Sequence, residues 1–268
     1  MNARFERPLA VVTGASSGIG YELAKQFSEH GFDLMIAAED PGIVEVKQAM
    51  ERSGAKVESL QVDLSTYDGV EELVEKVRSL GVPVAALALN AGVGVSGAFA
   101  TDTDLDDELA LIRLNVQSVV HLTKRIVPGM VERGAGRILF TSSIAGTAPG
   151  PYLACYAASK AFIQSFAEAI RFELKDTGVT VTSLMPGATE TNFFHRAGME
   201  DTKVGQGPKD SAEEVAREGF EALMANKDHV IAGAMKNKLQ GSLGSLLPDP
   251  VKASMQAKET KPGYSPQS

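Results

Sequence analysis

Cysteine is almost missing from the 268 residues: Cys155 stands alone. One thiol cannot close an internal disulfide or build a cysteine-rich metal centre, so no metal site is expected, and a reducing compartment suits the chain. Positive charge is also short, with 26 Lys and Arg against 34 Asp and Glu and a formal net charge of -8. That balance argues against nucleic acid and against an anionic membrane surface as partners. Long apolar runs are absent as well. The most apolar longer stretch, 82–100, is interrupted by Asn90 and several glycines and leads with Pro83, which suits a buried strand and loop better than a membrane span. The opening "MNARFERPLAVVTG" lacks the apolar centre of a secretory signal. A cytoplasmic protein is expected, with small molecules or other protein chains as its partners.

What is present is an ordinary globular composition, 44% hydrophobic and 22% charged. Short β-type runs at Leu9–Thr13, Asp33–Ala38, 57–62, Val84–Leu89, 137–142, 179–185 and His229–Ala232 alternate with segments of helical period. Most of these runs are continuously apolar, as strands covered on both faces require. The pattern predicts an α/β domain with a doubly wound parallel sheet of about seven strands and helices on both sides. Ser65 is the expected cap of a helix ending before Gly81, and Ser211 of another. Longer helices are expected over 104–127, stopping before Pro128, and over 153–175. No internal repeat and no linker between two cores is evident, so 1–256 reads as one domain. Within it, 187–210 is a long aperiodic loop that reads equally as a substrate lid or a plain surface excursion, and 257–268 reads as a polar, frayed tail in preference to a subunit-contact arm.

The string "TGASSGIG", Thr13 to Gly20, places Gly14, Gly18 and Gly20 between the first strand and the first helix. Glycines there permit a sharp turn, let a phosphate reach the helix amides, and allow helix and strand to approach. The helix N-terminus supplies free N–H groups and positive dipole to a pyrophosphate. Tyr156 and Lys160, four residues apart, share one face of a helix, and Ser143 lies thirteen positions before Tyr156. A free tyrosine ionises near about 10, so a neighbouring cation is needed to favour its phenolate.

Together with "NAG" at Asn90–Gly92, Asn115 in a long helical segment, "SSIAG" from Ser142, "YAASK" at Tyr156–Lys160 and "PGATET" at Pro186–Thr191, this order resembles the single-domain short-chain dehydrogenase/reductase family across roughly three-quarters of the chain. The resemblance implies a Rossmann-type sheet of order 3-2-1-4-5-6-7 and an NAD(P)-dependent oxidoreductase exchanging a hydride between nicotinamide and a carbonyl or secondary alcohol. Tyr156 would be the general acid and base, assisted by Lys160 and the positive nicotinamide of an oxidised cofactor. Ser143 would bond the substrate oxygen, Lys160 the nicotinamide ribose, and Asn115 a water in the proton path. Gly14, Ser16, Ser17, Gly18, Ile19 and Gly20 would hold the pyrophosphate. Asp63 with Leu64 would meet the adenine, Asn90, Ala91 and Gly92 the adjacent wall, and Pro186, Gly187, Thr189 and Thr191 the nicotinamide. The family more often has a second asparagine where Leu89 stands here.

The second strand ends in Ala38, Glu39 and Asp40, where NADP-preferring relatives usually place a cation. A carboxylate accepts ribose hydroxyls and repels a 2′-phosphate, so Glu39 favours NAD, with NADP as the alternative. Val93, Val95, Ile144, Leu153, Phe193 and Phe194 are candidates for an apolar substrate wall; His195 and Arg196 are placed on the lid, and Cys155 as packing. Rival readings are a 3-oxoacyl thioester reductase, a polyol dehydrogenase, a steroid-like alcohol dehydrogenase, and a cofactor-binding regulator or scaffold without turnover. The family also implies a homodimer or homotetramer.

Overall fold

The computed structural model describes residues 5–233 and 248–265. Seven strands, β1 Leu9–Thr13, β2 Asp33–Ala38, β3 Val57–Gln61, β4 Val84–Leu89, β5 Gly136–Thr141, β6 Val179–Pro186 and β7 His229–Ala232, form one sheet in the order β3-β2-β1-β4-β5-β6-β7. Every pairing is parallel. The expected fold class and strand order are both observed.

Alternate residues of the strands enter two separate cores, which is why the sequence shows continuous apolar runs. Val11, Met35, Leu87 and Phe140 face one core with α3 Tyr67–Ser79, α5 Ser118–Arg133 and α6 Ala154–Leu174; Val12, Ile36, Ala88 and Leu139 face the other with α1 Gly18–Glu29, α2 Ile43–Glu51 and α9 Ala212–Met224. Phe27 is packed edge-on against both Phe32 and Phe220, joining α1 to α9.

Four local expectations are corrected. Thr66, not Ser65, caps α3, its hydroxyl accepting from Gly69 N at 3.0 Å, because Ser65 is already bonded to the Asp63 carboxylate. Ser211 stands at the cap position of α9, but its hydroxyl takes no helix N–H. The helix expected over 104–127 is three pieces: α4 Leu105–Ile112, a π-helical turn Arg113–Gln117, and α5, which runs through Pro128 to Arg133 and stops at left-handed Gly134. Pro128 is tolerated because it and Lys124, whose carbonyl it leaves without a donor, both lie on the water-facing side. The frayed tail is also revised. Helix α10, Asp249–Thr260, carries into it, Thr260 is buried with its hydroxyl donating to Pro151 O at 2.7 Å, and Tyr264 N donates to Asp201 O at 2.7 Å. Residues 266–268 of that tail lie outside the described residues. Among the described residues no helix is long and apolar enough to cross a membrane.

Candidate active site

Parallel strands put all their carboxyl ends on one edge. There Thr13, Ala38, Leu89, Thr141 and Pro186 each deliver the chain into a loop, and the loops line one cleft of about 1460 Å3. A pocket for one small ligand spans roughly 300–1,000 Å3, so this cleft has room for two. Of the cofactor and catalytic residues singled out from the sequence, Gly20 and Asn115 stand behind the wall and all the others line it.

At one end the β1–α1 turn forms a cradle. Gly20 is required by packing: a Cβ there would come 2.1 Å from Gly14 O. Gly18, at φ +56, leaves space for Thr191, whose Cγ2 would be 2.8 Å from an added Cβ. Ser17 has extended backbone at the N-cap, yet its hydroxyl takes none of the first helical N–H groups. Those amides are therefore free to bind an anion, which is the fit a dinucleotide's pyrophosphate demands. Asn90 holds the cradle from behind, its Nδ2 donating to Thr13 O at 3.3 Å while its Oδ1 accepts from Thr141 Oγ1 at 3.2 Å. Thr13 Oγ1 in turn accepts from the backbone N–H groups of Asn90 and Ala91 at 3.0 and 3.1 Å. One asparagine thus ties three strands, and Leu89 is a buried core residue.

Along the adjoining wall, the Asp63 carboxylate accepts from Ser65 N and Oγ at 2.8 and 2.9 Å, fixing the loop that carries buried Leu64. Glu39 is exposed at the cleft rim, its carbonyl held by Gln61 Nε2 at 3.0 Å.

At the other end, Ser143 heads a 3-10 turn, Ile144–Thr147, and accepts from Ala145 N at 3.1 Å. Its hydroxyl donates to Pro186 O at 3.4 Å and stands near enough to the Tyr156 phenol to favour its ionisation. Tyr156 and Lys160 occupy the first two turns of α6 on one face, with Lys160 Nζ 5.8 Å from the Tyr156 ring centroid. Lys160 is buried and donates to Thr141 O at 2.9 Å. Burial pushes the Tyr156 phenol up to about 12, against a smaller downward pull from Ser143. The expected lowering by Lys160 is absent in the free protein, where desolvation of the phenolate dominates. Burial also takes the Lys160 ammonium down to about 8, so it remains mostly charged at neutral pH.

Asn115 sits at the centre of the π turn and is 1% exposed. Its Oδ1 accepts from Val93 N and its Nδ2 donates to Val93 O, both at 2.9 Å, with a further bond to Ser159 Oγ at 3.1 Å. The side-chain amide thus fixes the loop after β4.

The 187–210 loop is pinned at both ends by the bridge between Thr189 and Asp210, and Thr189 is buried. It contains two short helices, α7 Phe193–Arg196 and α8 Lys203–Gln206. Phe193 lies 5.1 Å from the Tyr156 ring, and Phe193, Phe194, Leu153, Ile144 and Val93 line the cleft as expected, whereas Val95 does not. His195 pairs with Glu200 at 3.0 Å, and Arg196 turns to Asp40 at 3.6 Å. Cys155 is no nucleophile at neutral pH, because burial first and Glu108 second push its thiol up to about 11.

Sequence reasoning missed the wall contributed by Met199, Met255, Gln256 and Tyr264. A signal for it existed: "PDP" at 248–250 followed by Val251 and Met255 at helical spacing, within a segment dominated by its polarity.

Residues 8–201 match the short chain dehydrogenase family. A short chain dehydrogenase of Pseudocercospora fijiensis is 35% identical over 186 residues, spanning 69% of this chain and 60% of the relative's length. Among solved structures, a short-chain dehydrogenase from Sphingobium yanoikuyae in complex with NADPH superposes with a TM-score of 0.78 at 28% identity, covering 89% of this chain and 94% of that one. A 3-ketoacyl-(acyl-carrier-protein) reductase from Brucella melitensis complexed with NADH superposes with a TM-score of 0.73 at 25% identity, covering 84% and 97%. With its glycine turn, strand-end cleft and serine, tyrosine and lysine at the cleft's inner end, the chain belongs to the short-chain dehydrogenase/reductase family of oxidoreductases acting on alcohol and carbonyl groups.

Proposed function

We propose that the protein transfers a hydride between NAD(H) and a neutral, apolar ketone or secondary alcohol, with Tyr156 as general acid and base. The convergence of Ser143, Tyr156 and Lys160 at the apolar end of a dinucleotide-sized cleft carries this reading. In reduction, Tyr156 donates its proton to the substrate oxygen while the Ser143 hydroxyl hydrogen-bonds the same atom as charge develops there. The cofactor, when bound, supplies the hydride to the carbonyl carbon or takes it from the alcohol. Lys160 holds the nicotinamide ribose and, as an ammonium, favours the phenolate that remains after proton transfer. Asn115 keeps the loop bearing Val93 in register with these groups. Gly14 to Gly20 and the α1 amides take the pyrophosphate; Thr189 and Thr191 face the nicotinamide.

An apolar, uncharged substrate is favoured by what the cleft's cations are already doing. Lys203 pairs with Glu259 and Lys252 with Asp249, Lys209 donates to Gly205 O and Lys160 to Thr141 O, and Arg196 is turned toward Asp40 at the end of β2. The remaining wall of Leu153, Phe193, Phe194, Met199 and Met255 suits hydrocarbon. Glu39, exposed at the end of β2, favours NAD over NADP. Parallel titrations with NADH and NADPH, read by nicotinamide fluorescence, should show tighter NADH binding. A panel of cyclic and aryl ketones should then outperform 3-oxoacyl thioesters and sugars. Binding of neither cofactor would sink the reading; preference for a thioester would replace the substrate class.

The protein assembles, in this reading, as a cytoplasmic homo-oligomer. Leu105, Leu109 and Ile112 form an exposed apolar stripe on α4, and Phe162 and Phe172 stand exposed on neighbouring α6, with Phe172 70% accessible. Leu109→Glu with Phe172→Glu should shift sedimentation from dimer or tetramer to monomer. A wild-type chain that sediments as a monomer would remove the proposal.

A further inference from the structure

The lid reaches beyond the substrate end of the cleft. α7 begins two residues after Thr191, which packs against Gly18, and ends at Arg196, whose Nη2 lies 3.6 Å from Asp40 Oδ2. Asp40 follows β2 by two residues; its Oδ1 accepts from Gly42 N at 2.8 Å, leaving Oδ2 for the arginine. Both side chains are half exposed, both line the cleft, and Glu39 stands beside them. A lid cation is therefore delivered to the wall where the sequence offers only carboxylates.

We propose that Arg196 reads the 2′ substituent of the cofactor's adenosine ribose, staying on Asp40 when that position is a hydroxyl and turning to the phosphate when it is phosphorylated. The proposal rests on the reading of the β2 end as the ribose site. A guanidinium presents the same planar fork of donors to a carboxylate and to a phosphate. An ion pair this exposed is weakly held, and a phosphate bearing more charge than Asp40 competes for it effectively. The carboxylates of Glu39 and Asp40 then disfavour NADP(H), and Arg196 limits that penalty. The enzyme keeps both cofactors in use, with NAD(H) ahead, and the residue that sets the ratio lies on the lid rather than on β2 or the glycine turn.

The test uses wild type, Arg196→Gln, Asp40→Asn and the double variant, each titrated with NADH and NADPH by nicotinamide fluorescence. Losing a charge-assisted contact in Arg196→Gln should weaken NADPH about tenfold while NADH changes less than about twofold. Asp40→Asn should tighten NADPH, and that gain should shrink at least about threefold when Arg196 is also replaced. Arg196→Lys, which keeps the charge but not the fork, should fall between and serves if the glutamine variant misfolds. Equal weakening of both cofactors, no weakening of NADPH, or the same Asp40→Asn gain in both backgrounds overturns the proposal. So does a wild type that binds NADH but no NADPH. Binding of neither removes the cofactor reading itself, a failure distinct from these.

Discussion

Tyr156→Phe is expected to lower kcat by about a thousandfold while leaving the NADH dissociation constant within about twofold, because it removes one proton carrier and little else. The ring keeps its place against Phe193 at 5.1 Å, and Lys160 keeps its bond to Thr141 O at 2.9 Å, so the cofactor side of the cleft is undisturbed. A second expectation follows from the direction of the phenol's shift. With burial holding Tyr156 near about 12, the neutral acid dominates at physiological pH, which is the form that carbonyl reduction consumes. Alcohol oxidation needs the phenolate, so its kcat/KM should climb with pH through the neutral and mildly alkaline range, while reduction stays level there. Ser143→Ala removes the one group that pulls the phenol down and should displace the oxidation limb to higher pH. Near-normal turnover in Tyr156→Phe, or an oxidation profile indifferent to pH, would assign the proton to another group. Stopped-flow binding of NADH to the same variant separates lost chemistry from lost folding.

The sheet was legible because its strands are buried on both faces and so read as unbroken apolar runs; Leu9–Thr13 and Asp33–Ala38 coincide with the observed strands for that reason. The cleft was legible because parallel strands place every following loop on one edge, so strand ends alone locate "TGASSGIG", "NAG" and "PGATET" together. Features set by distant partners were not. The π turn at Arg113–Gln117 leaves no compositional trace: it exists where Asn115 meets Val93 and Ser159. Pro128 is a helix stop by local rules and is overridden because its missing hydrogen bond falls on the wet face. The Arg196–Asp40 pair joins segments that neither periodicity nor spacing relates. The C-terminal segment misleads through its polarity, since burial of Thr260 and the contacts of Gly263 and Tyr264 with Asp201 hold it down.

Asn115→Leu should damage stability and turnover together, and the pairing of the two losses is what identifies its role. The amide meets Val93 as a second strand would, one acceptor and one donor each at 2.9 Å, in a position 1% exposed. Leucine matches its size and leaves the Val93 N–H and C=O without partners, at about 1–3 kcal/mol for each buried group left unsatisfied. The melting temperature should fall by about 5–10 °C, since each kcal/mol moves a chain of this size by about 2–4 °C. Turnover should fall about a hundredfold, because the same loop forms the wall beside Lys160: a Cβ on Gly92 would lie 3.1 Å from Asn115 Oδ1 and 3.3 Å from Lys160 Nζ. Glutamine keeps both functional groups but adds a methylene, and in a site this close-packed it should not rescue. Ser159→Ala removes only the third partner and should cost less than about 1.5 kcal/mol, with turnover nearly intact. A variant Asn115→Leu that melts like wild type but does not turn over would move Asn115 from holding the loop to carrying the proton. One that loses neither would mean the loop is held by its backbone and the π turn is incidental to the site.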